Sequence, residues 1–297
     1  MRWRRCAKLA WLLGAPLLAA SGAVAATEAM PKAALRVCVT DANLPYANRE
    51  GGVSGFDLDV AAAVAARIGY RVEPVWTGRA ANIQEIEEDL PLARLARDDC
   101  DAMFSVPGPA SETLRGRAAL ALGEAYYGAA FELVACNDQV PGALAGLSGR
   151  AVAIQSQTVA HFALLAAGVE PRNYFSVNAA FDAARTLEAD AALLWGPAIG
   201  WRLRMAQVTG LRLRDASYAA CKLVAGYEPP AALRWNLHVA TLRDRTRLRE
   251  LMDEALATLR ASGELERIAR GWGIPWHPPF ATTYTREALE ALRNAAP

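Results

Sequence analysis

Strand-like and helix-like segments alternate along most of this 297-residue chain, and they do so in two separate series. The first series runs from LRVCVT (35–40) through a helix-like segment at 55–69 to CDAMFSV (100–106). The second runs from RAVAIQ (150–155) to DAALLW (190–195). Alternation at this spacing is typical of βαβ units with parallel strands. The sequence therefore predicts an α/β protein with two lobes.

Apolar periodicity places further elements within this plan. Between the ends of the second series we expect helices at 158–168 and 178–189, with a short strand, YFSV, at 174–177. The amphipathic tail at 246–273 should form helices that pack on the first lobe.

Two extended segments link the predicted lobes, AYYGAAFELVAC (125–136) and NLHVATLRD (236–244). The chain is expected to leave the first lobe by one segment and to return by the other. Two such crossings create a hinge with a cleft that can close on a small molecule. The predicted divisions are a first lobe at 26–134, a second lobe at 135–238, and a return to the first lobe at 239–297.

The first 25 residues have the composition of a secretory signal peptide. Four basic residues precede the apolar run LAWLLGAPLLAASGAVA, which ends in an A-x-A cleavage site. A retained membrane anchor is the alternative, but the run is short for a span and contains glycine and proline. Cleavage near Ala25 would place the mature protein in the periplasm.

The charge balance argues against a nucleic-acid partner. The whole chain has 32 basic and 31 acidic residues, and removal of residues 1–25 leaves the mature protein slightly acidic. The sequence has no basic patch of the kind that binds nucleic acid.

Removal of the signal segment leaves four cysteines, which an oxidising compartment allows to form two disulfides in any of three pairings. Cys38 lies in one strand-like run and Cys100 opens another. If those strands are neighbours, a Cys38–Cys100 bridge is plausible and Cys136 is left with Cys221. Free buried thiols are the alternative.

The segment GFDLDVAAAVAARIG (55–69) reads as a buried helix. Ser54 is a candidate N-cap, Asp57 and Asp59 fall in the first turn, and Gly69 ends the helix. The favoured interpretation is structural: both carboxylates fix the start of the helix beside the cleft, whereas direct contact with a ligand is less favoured.

The same segment, GFDLDV followed by Val64, Ala65 and Ile68, resembles the signature of family-3 extracellular solute-binding proteins, the receptors of polar amino-acid ABC transporters. LRVCVTDANLPYA, LSGRAVAIQSQTVAHFAL and LATLRASGELERIARGWG resemble other parts of that family, in the same order. The resemblance implies a type II periplasmic-binding fold with a hinge of two crossing segments, a small polar ligand, and an ABC permease as partner.

A narrower group fits CDAMFSVP, the paired Tyr126 and Tyr127, and LLWGPAIGW (193–201). These segments resemble the quinoprotein-dehydrogenase-associated solute-binding proteins, including the methanol-oxidation J type. In amino-acid receptors an aspartate near position 195 takes the ammonium group of the ligand, whereas this chain has Trp195. The resemblance implies an alternative role as an accessory protein of a periplasmic quinoprotein dehydrogenase.

Candidate ligand-binding residues lie at the mouths of strands that face the predicted cleft. The resemblance places near Arg115 the arginine that holds a ligand α-carboxylate, after a one-residue shift of the loop. The alternative is that Arg115 and Arg117 are surface charges, that Tyr127 and Trp195 belong to the core, and that loop hydroxyls only cap a helix. The candidate set is Asp41, Asn43, Tyr46, Phe56, Ser105, Arg115, Tyr126, Tyr127, Gln155, Ser156, Gln157, Thr158 and Trp195.

Catalytic motifs are not recognisable in the sequence. His161, His238 and His277 lie far apart, and no nucleophile elbow, phosphate loop or zinc spacing occurs. We therefore expect a binding protein rather than an enzyme, monomeric and without a cofactor or bound metal.

Overall fold

The computed structural model describes residues 33–77, 90–213 and 220–294. The predicted signal peptide lies outside the described residues. The strands of the described chain are β1 (Ala33–Thr40), β2 (Tyr70–Thr77), β3 (Met103–Pro107), β4 (Leu120–Leu122), β5 (Tyr127–Ala135), β6 (Val152–Gln155), β7 (Pro171–Tyr174), β8 (Ala191–Trp195), β9 (Lys222–Leu223) and β10 (Arg234–Leu242). The helices are α1 (Phe56–Ile68), α2 (Pro91–Ala96), α3 (Ala110–Thr113), α4 (Ala160–Ala166), α5 (Val177–Arg185), α6 (Gly196–Leu213), α7 (Thr246–Ala261), α8 (Glu264–Gly271) and α9 (Arg286–Asn294).

The first series of elements forms the predicted parallel βαβ unit. Strands β1 and β2 pair in parallel over their whole length, with α1 as the crossover between them. A backbone hydrogen bond from Cys38 N to Ala102 O, 2.9 Å long, joins β1 to the segment that leads into β3. The C-terminal ends of β1 and β3 therefore lie at the same side of the first lobe.

The two predicted crossing segments are confirmed as the paired strands β5 and β10. The first half of β5, Tyr127–Ala130, pairs antiparallel with β10, and the second half, Phe131–Val134, pairs with β8. Strand β10 continues beyond β5 to pair with β3 and β4. A single strand therefore belongs to both lobes, and the larger sheet has the order β3-β10-β5-β8-β6-β7.

In the second lobe, β6 lies between β7 and β8 and pairs in parallel with both. The prediction of a strand at 174–177 is wrong, because the strand is β7, Pro171–Tyr174, and α5 begins at Val177. Ser176 explains the difference: its Oγ accepts a hydrogen bond from Ala179 N and caps the helix.

Separate hydrophobic cores lie on the two faces of the second-lobe sheet. Leu133 and Leu193 belong to one of them, whereas the next residues along the same strands, Val134 and Leu194, belong to the other. This alternation follows from the two-residue period of a strand. A further core, around α1, α7 and α8, fills the first lobe, and Trp195 packs against it and against one core of the second lobe.

Helices α7 and α8 pack on α1, as predicted for the tail at 246–273. The chain then runs back along the crossing strands, where Gly128 N donates to His277 O, and α9 packs on α4. Leu292 of α9 joins a core of the second lobe. The predicted divisions of the chain into lobes stay a prediction.

In the described part of the chain, no helix is both long and apolar enough to cross a bilayer.

The structure contains both disulfides of the favoured pairing. Cys38–Cys100 ties β1 to the segment before β3, with Cα atoms 5.6 Å apart. Cys136–Cys221 ties the end of β5 to the segment before β9. Each lobe therefore has one covalent link.

The start of α1 corrects one prediction. Gly55, not Ser54, is the N-cap, and it makes no side-chain cap bond because it has no side chain. Its φ of 148° lies in a region that residues with a side chain rarely adopt, and a Cβ there would lie 2.1 Å from Tyr46 O. Asp57 and Asp59 lie in the first turn, and Gly69 ends the helix in the left-handed conformation, both as predicted.

Candidate functional site

Five polar or aromatic side chains gather where β1, β3, α1 and β5 meet. Tyr46 lies in the loop after β1, Asp57 in the first turn of α1, and Ser105 within β3, while Tyr127 begins the crossing strand β5 and Tyr126 precedes it. We refer to these five residues as the Asp57 cluster. Four of them were predicted as ligand-binding residues from the sequence, and Asp57 was not.

Ser105 is the centre of the hydrogen bonds in the Asp57 cluster. Its Oγ donates to Asp57 Oδ1 at 2.5 Å and lies 3.1 Å from the Tyr126 hydroxyl. Its backbone N–H donates to the same hydroxyl at 3.0 Å. Ser105 adopts φ 54°, which is uncommon for a residue other than glycine. Backbone and side chain together fix the orientation of Tyr126 and Asp57.

Aromatic rings enclose the rest of the cluster. The Tyr127 ring lies 5.2 Å from the rings of Phe56 and Tyr126, and it stacks on Trp276 at 6.2 Å. Tyr127 is fully buried, yet its hydroxyl has no hydrogen-bond partner within the described chain. A buried hydroxyl without a partner costs about 1–3 kcal/mol. The Asp57 cluster therefore contains one buried hydroxyl, that of Tyr127, without a hydrogen-bond partner in the described chain.

A hydrogen bond joins the two sides of the hinge. Trp195, at the end of β8 in the second lobe, donates from Nε1 to the hydroxyl of Tyr46 at 2.9 Å. The Trp195 ring also lies edge-on to Phe131 at 5.7 Å and to Trp235 at 5.6 Å. Trp195 is half-buried and has a contact partner in each lobe.

Burial sets the protonation of the cluster. Asp57 is 8% exposed, and its removal from water raises the pKa of its carboxyl to about 7, although the hydrogen bond from Ser105 opposes the rise. Burial also raises the pKa of the hydroxyls of Tyr46, Tyr126 and Tyr127, so all three stay neutral at pH 7. Asp57 is the one group in the cluster that can change charge near neutral pH.

The predicted second-lobe residues lie in the loop at 155–158, between β6 and α4. Ser156 N donates to Tyr174 O, and Thr158 Oγ1 donates to Gln155 O, both at 2.8 Å. Gln157 is exposed and has a φ of 63°. The N-cap of α4 is Val159, so Thr158 does not cap that helix. The hydrogen bonds that the structure gives this loop stay within the second lobe.

Three other predicted residues lie outside the cluster. Asp41 pairs with Arg49, with a nitrogen–oxygen distance of 3.2 Å, and its Oδ1 accepts from the N–H groups of Ala42 and Arg49. Asn43 is exposed in the same loop. Arg115 is exposed in the turn after α3, and among the described residues it has no hydrogen bond or ion pair with the cluster.

Sequence reasoning treated Asp57 and Asp59 alike, and the structure separates them. Trp272 Nε1 donates to Asp59 Oδ2 at 2.7 Å, which links α1 to the end of α8. Asp59 and Trp272 line a groove of about 770 Å³, which Trp201 of α6 also borders. The side-chain contact of Asp59 is thus with the scaffold, as predicted, whereas Asp57 contacts a predicted ligand-binding residue. Trp276, which stacks on Tyr127, had no recognisable signal in the sequence.

Within residues 33–77, 90–213 and 220–294, no three histidine, cysteine or acidic side chains lie close enough together to hold a metal ion. His277 instead pairs through Nε2 with Glu132 Oε1, at 2.7 Å.

Protein-family models and curated protein sequences give no match to this chain. Solved structures do. The L-cystine solute receptor of Neisseria gonorrhoeae, in its unliganded open conformation, matches with a TM-score of 0.63 at 20% identity, over 82% of this chain and 94% of that one. Substrate-binding domain 2 of GlnP from Lactococcus lactis, also open, matches with a TM-score of 0.63 at 15% identity, over 81% of this chain and 95% of that one.

A third structure is the second substrate-binding domain of an amino-acid transporter from Streptococcus pneumoniae, described as a putative ABC transporter. It matches with a TM-score of 0.61 at 17% identity, over 80% of this chain and 98% of that one. At such identities the agreement concerns the fold. The chain has the two-lobed α/β fold of the type II periplasmic binding proteins, with β5 and β10 as its crossing segments.

Proposed function

We propose that this protein is a periplasmic solute-binding protein of family 3, which binds a small polar molecule between its lobes and delivers it to an ABC permease. The observation that carries the proposal is the Asp57 cluster, which lies beside the start of the crossing strand β5 and is hydrogen-bonded through Tyr46 to Trp195 of the second lobe. Buried polar groups fixed by one another are typical of small-molecule sites.

The comparisons support this proposal by fold. The three structural neighbours are a receptor and two substrate-binding domains, so the same architecture in other chains serves solute binding. We propose residues 26–134 and 239–297 as the first lobe and 135–238 as the second. We further propose that the protein is a secreted monomer without catalytic activity and that its signal peptide is cleaved near Ala25.

The ligand site that we propose combines both walls of the cleft. The first wall consists of the Asp57 cluster and Phe56. The second wall consists of Trp195 and the loop at 155–158, where the exposed side chain of Gln157 is open to a ligand that draws the lobes together. Asp41 and Asn43 border the first wall. Arg115 would reach a ligand only if the turn after α3, in which it lies, moved towards the cleft.

Thermal unfolding of the purified protein against a library of small polar metabolites tests the proposal. A ligand present at a hundred times its Kd should raise the free energy of unfolding by about 2.7 kcal/mol. Titration calorimetry of each hit should give one site per chain. Replacement Ser105→Ala should weaken binding, whereas the matched change Ser262→Ala, on a helix end remote from the hinge, should not. Absence of any stabilising metabolite would contradict the proposal.

One observation favours a second candidate function, that of an accessory protein to a quinoprotein dehydrogenase of the methanol-oxidation type. Trp195 stands where the resemblance expects a ligand-binding aspartate, and its side chain already bonds to Tyr46. Under this alternative the cleft holds a segment of the dehydrogenase. Calorimetry with a purified pyrroloquinoline-quinone alcohol dehydrogenase, and with the free quinone, distinguishes the two candidates. Binding of the enzyme in the absence of any small-molecule ligand would favour the accessory role.

A further inference from the structure

We propose that the solute is a small organic cation, an amine or guanidinium compound that lacks a carboxylate, and that Asp57 is its counter-ion. This inference rests on the proposed solute-binding function and names the chemical class of the ligand. It depends on the balance of charge in the described part of the cleft.

The charged groups that border the cleft differ in whether they are already neutralised. Asp41 is paired with Arg49, whose guanidinium also lies 5.8 Å from the centre of the Trp76 ring. Asp57, by contrast, has hydroxyl donors around it but no cation paired with it in the described chain. Among the residues that the structure describes, the Asp57 carboxyl group therefore has no paired cation, whereas Asp41 has one.

The groups that face Asp57 cannot supply the missing positive charge. Ser105 of β3 donates one hydrogen bond, and the titratable neighbours are the hydroxyls of Tyr46 in the loop after β1 and of Tyr126 and Tyr127 at β5. Asp59 on the same helix is acidic and bonded to Trp272. A buried carboxylate needs a partner ion to stay charged. A ligand ammonium or guanidinium would be that partner.

The aromatic residues favour the same class of ligand. Tyr46 and Trp195 are half-buried at the junction of the two walls. A cation near the face of a tyrosine or tryptophan ring gains about 0.5–2 kcal/mol, more when water is excluded. An anionic group would gain nothing from the ring faces and would be repelled by the Asp57 carboxylate.

The position of Arg115 argues against an α-amino acid. The resemblance assigned this arginine to the ligand carboxylate, yet its side chain is exposed in the turn after α3. No other arginine or lysine is bonded to the Asp57 cluster among the residues that the structure describes. A ligand carboxylate placed beside Asp57 would lack a counter-ion.

Binding of a cation should release a proton. Because burial raises the pKa of Asp57 to about 7, the free protein holds this carboxyl largely protonated at pH 6 and largely ionised at pH 8. A cationic ligand binds the ionised form. Its affinity should therefore rise about tenfold between pH 6 and pH 8.

Titration calorimetry with matched pairs of compounds tests the inference, because each pair differs only by a carboxylate. The pairs are agmatine with arginine, cadaverine with lysine, and histamine with histidine. At pH 8 we expect at least one amine to bind at least tenfold tighter than its amino acid. At pH 7, parallel titrations in phosphate and Tris, whose heats of ionisation differ, should reveal the released proton.

Two variants sharpen the test. Asp57→Asn should lower the affinity for the amine at least tenfold and remove its dependence on pH. Asp59→Asn, on the same helix but bonded to Trp272, should preserve both. If an amino acid binds more tightly than its amine, or if Asp57→Asn binds the amine as well as the unmodified protein does, the inference is wrong while the receptor function stands. If neither kind of compound, nor any metabolite of the wider library, binds, the receptor function fails as well.

Discussion

The two walls of the proposed ligand site are built in different ways. In the first wall, Ser105 bonds to Asp57 and Tyr126, and the rings of Phe56, Tyr126 and Tyr127 pack on one another. In the second wall, the loop at 155–158 bonds only within its own lobe as far as the structure describes it, and Gln157 is exposed. The first wall is pre-organised, because its geometry is over-determined. We infer that a ligand binds there first and that the second wall closes on it, guided by Trp195.

The disulfides test this contrast with the largest expected effect. Each disulfide closes a long loop, with sequence separations of 62 and 85 residues. Removal of either should lower the unfolding free energy by about 4 kcal/mol, because the unfolded chain gains conformational entropy. The double change Cys38→Ala with Cys100→Ala should also speed amide hydrogen exchange at Ser105, because the bridge ties β1 to the segment before β3. Loss of Cys136–Cys221 should leave that exchange rate unchanged. Equal acceleration at Ser105 in both variants would contradict the contrast.

Two glycines of the loop that carries Tyr46 give the next effect. Gly55→Ala would push a Cβ against Tyr46 O, 2.1 Å away, at a φ of 148°. We expect a loss of about 3 kcal/mol, combining backbone strain with the displaced loop. Gly51→Ala is the matched control, since a Cβ there meets open space and only its φ of 76° is unfavourable; about 1 kcal/mol is expected. Urea unfolding measures both, and similar losses would show that the loop does not pack as described.

The dependence of stability on pH tests the charge of the first wall. The Asp57 carboxyl has a pKa of about 7 in the folded protein and an ordinary value near 3.8 when unfolded, so the folded state holds the proton more tightly. Asp57 therefore stabilises the fold fully below pH 4, and this contribution is lost as the pH rises to about 7. Between pH 5 and pH 8 the loss should be about 2–3 kcal/mol.

Asp57→Asn supplies the comparison for that measurement, because other carboxyl groups also titrate. As the pH falls from 8 to 5, the unfolding free energy of the unmodified protein should rise relative to that of Asp57→Asn. A difference that is constant with pH would mean that Asp57 has an ordinary pKa. Asp59→Asn should not alter the pH profile of the protein.

The smallest effect separates two neighbouring tyrosines within the first wall. Tyr126→Phe removes a hydroxyl that accepts from Ser105 N, so it leaves that partly buried N–H unpaired and should cost about 1–2 kcal/mol. Tyr127→Phe removes a hydroxyl without a hydrogen-bond partner in the described chain and should be neutral or slightly stabilising. Thermal unfolding of both variants measures the difference. A larger loss for Tyr127→Phe would show that its hydroxyl has a bonded partner.

The sequence predicted the scaffold because the scaffold depends on local, repeating signals. The segment at 55–69 predicted α1, and the extended runs at 125–136 and 236–244 predicted the crossing strands that the structure contains. The pairing of Cys38 with Cys100 followed once two strands were taken as neighbours. Capping was harder to predict, because the choice of Gly55 over Ser54 depends on the carbonyl of a distant residue, Tyr46.

The site was predicted in part, for a physical reason. Tyr46, Ser105, Tyr126 and Trp195 lie in predicted elements or in the loops beside them. Asp57 was interpreted as a helix-start acid because its spacing is the same as that of Asp59; only the tertiary packing shows that one contacts Ser105 and the other Trp272. Trp276 stacks on Tyr127 although the two residues are about 150 positions apart, and no local sequence pattern predicts a contact over that separation.

The most direct test of the account is the distance between the two lobes with and without ligand. Spin labels on cysteines introduced at Asp244, after β10, and at Glu170, before β7, occupy exposed positions in different lobes. We predict that the amine that binds best among agmatine, cadaverine and histamine changes the distance between the labels to a single new value, and that Asp57→Asn prevents the change. A distance distribution that stays the same when the bound amine saturates the protein would contradict the closure of the second wall on the first.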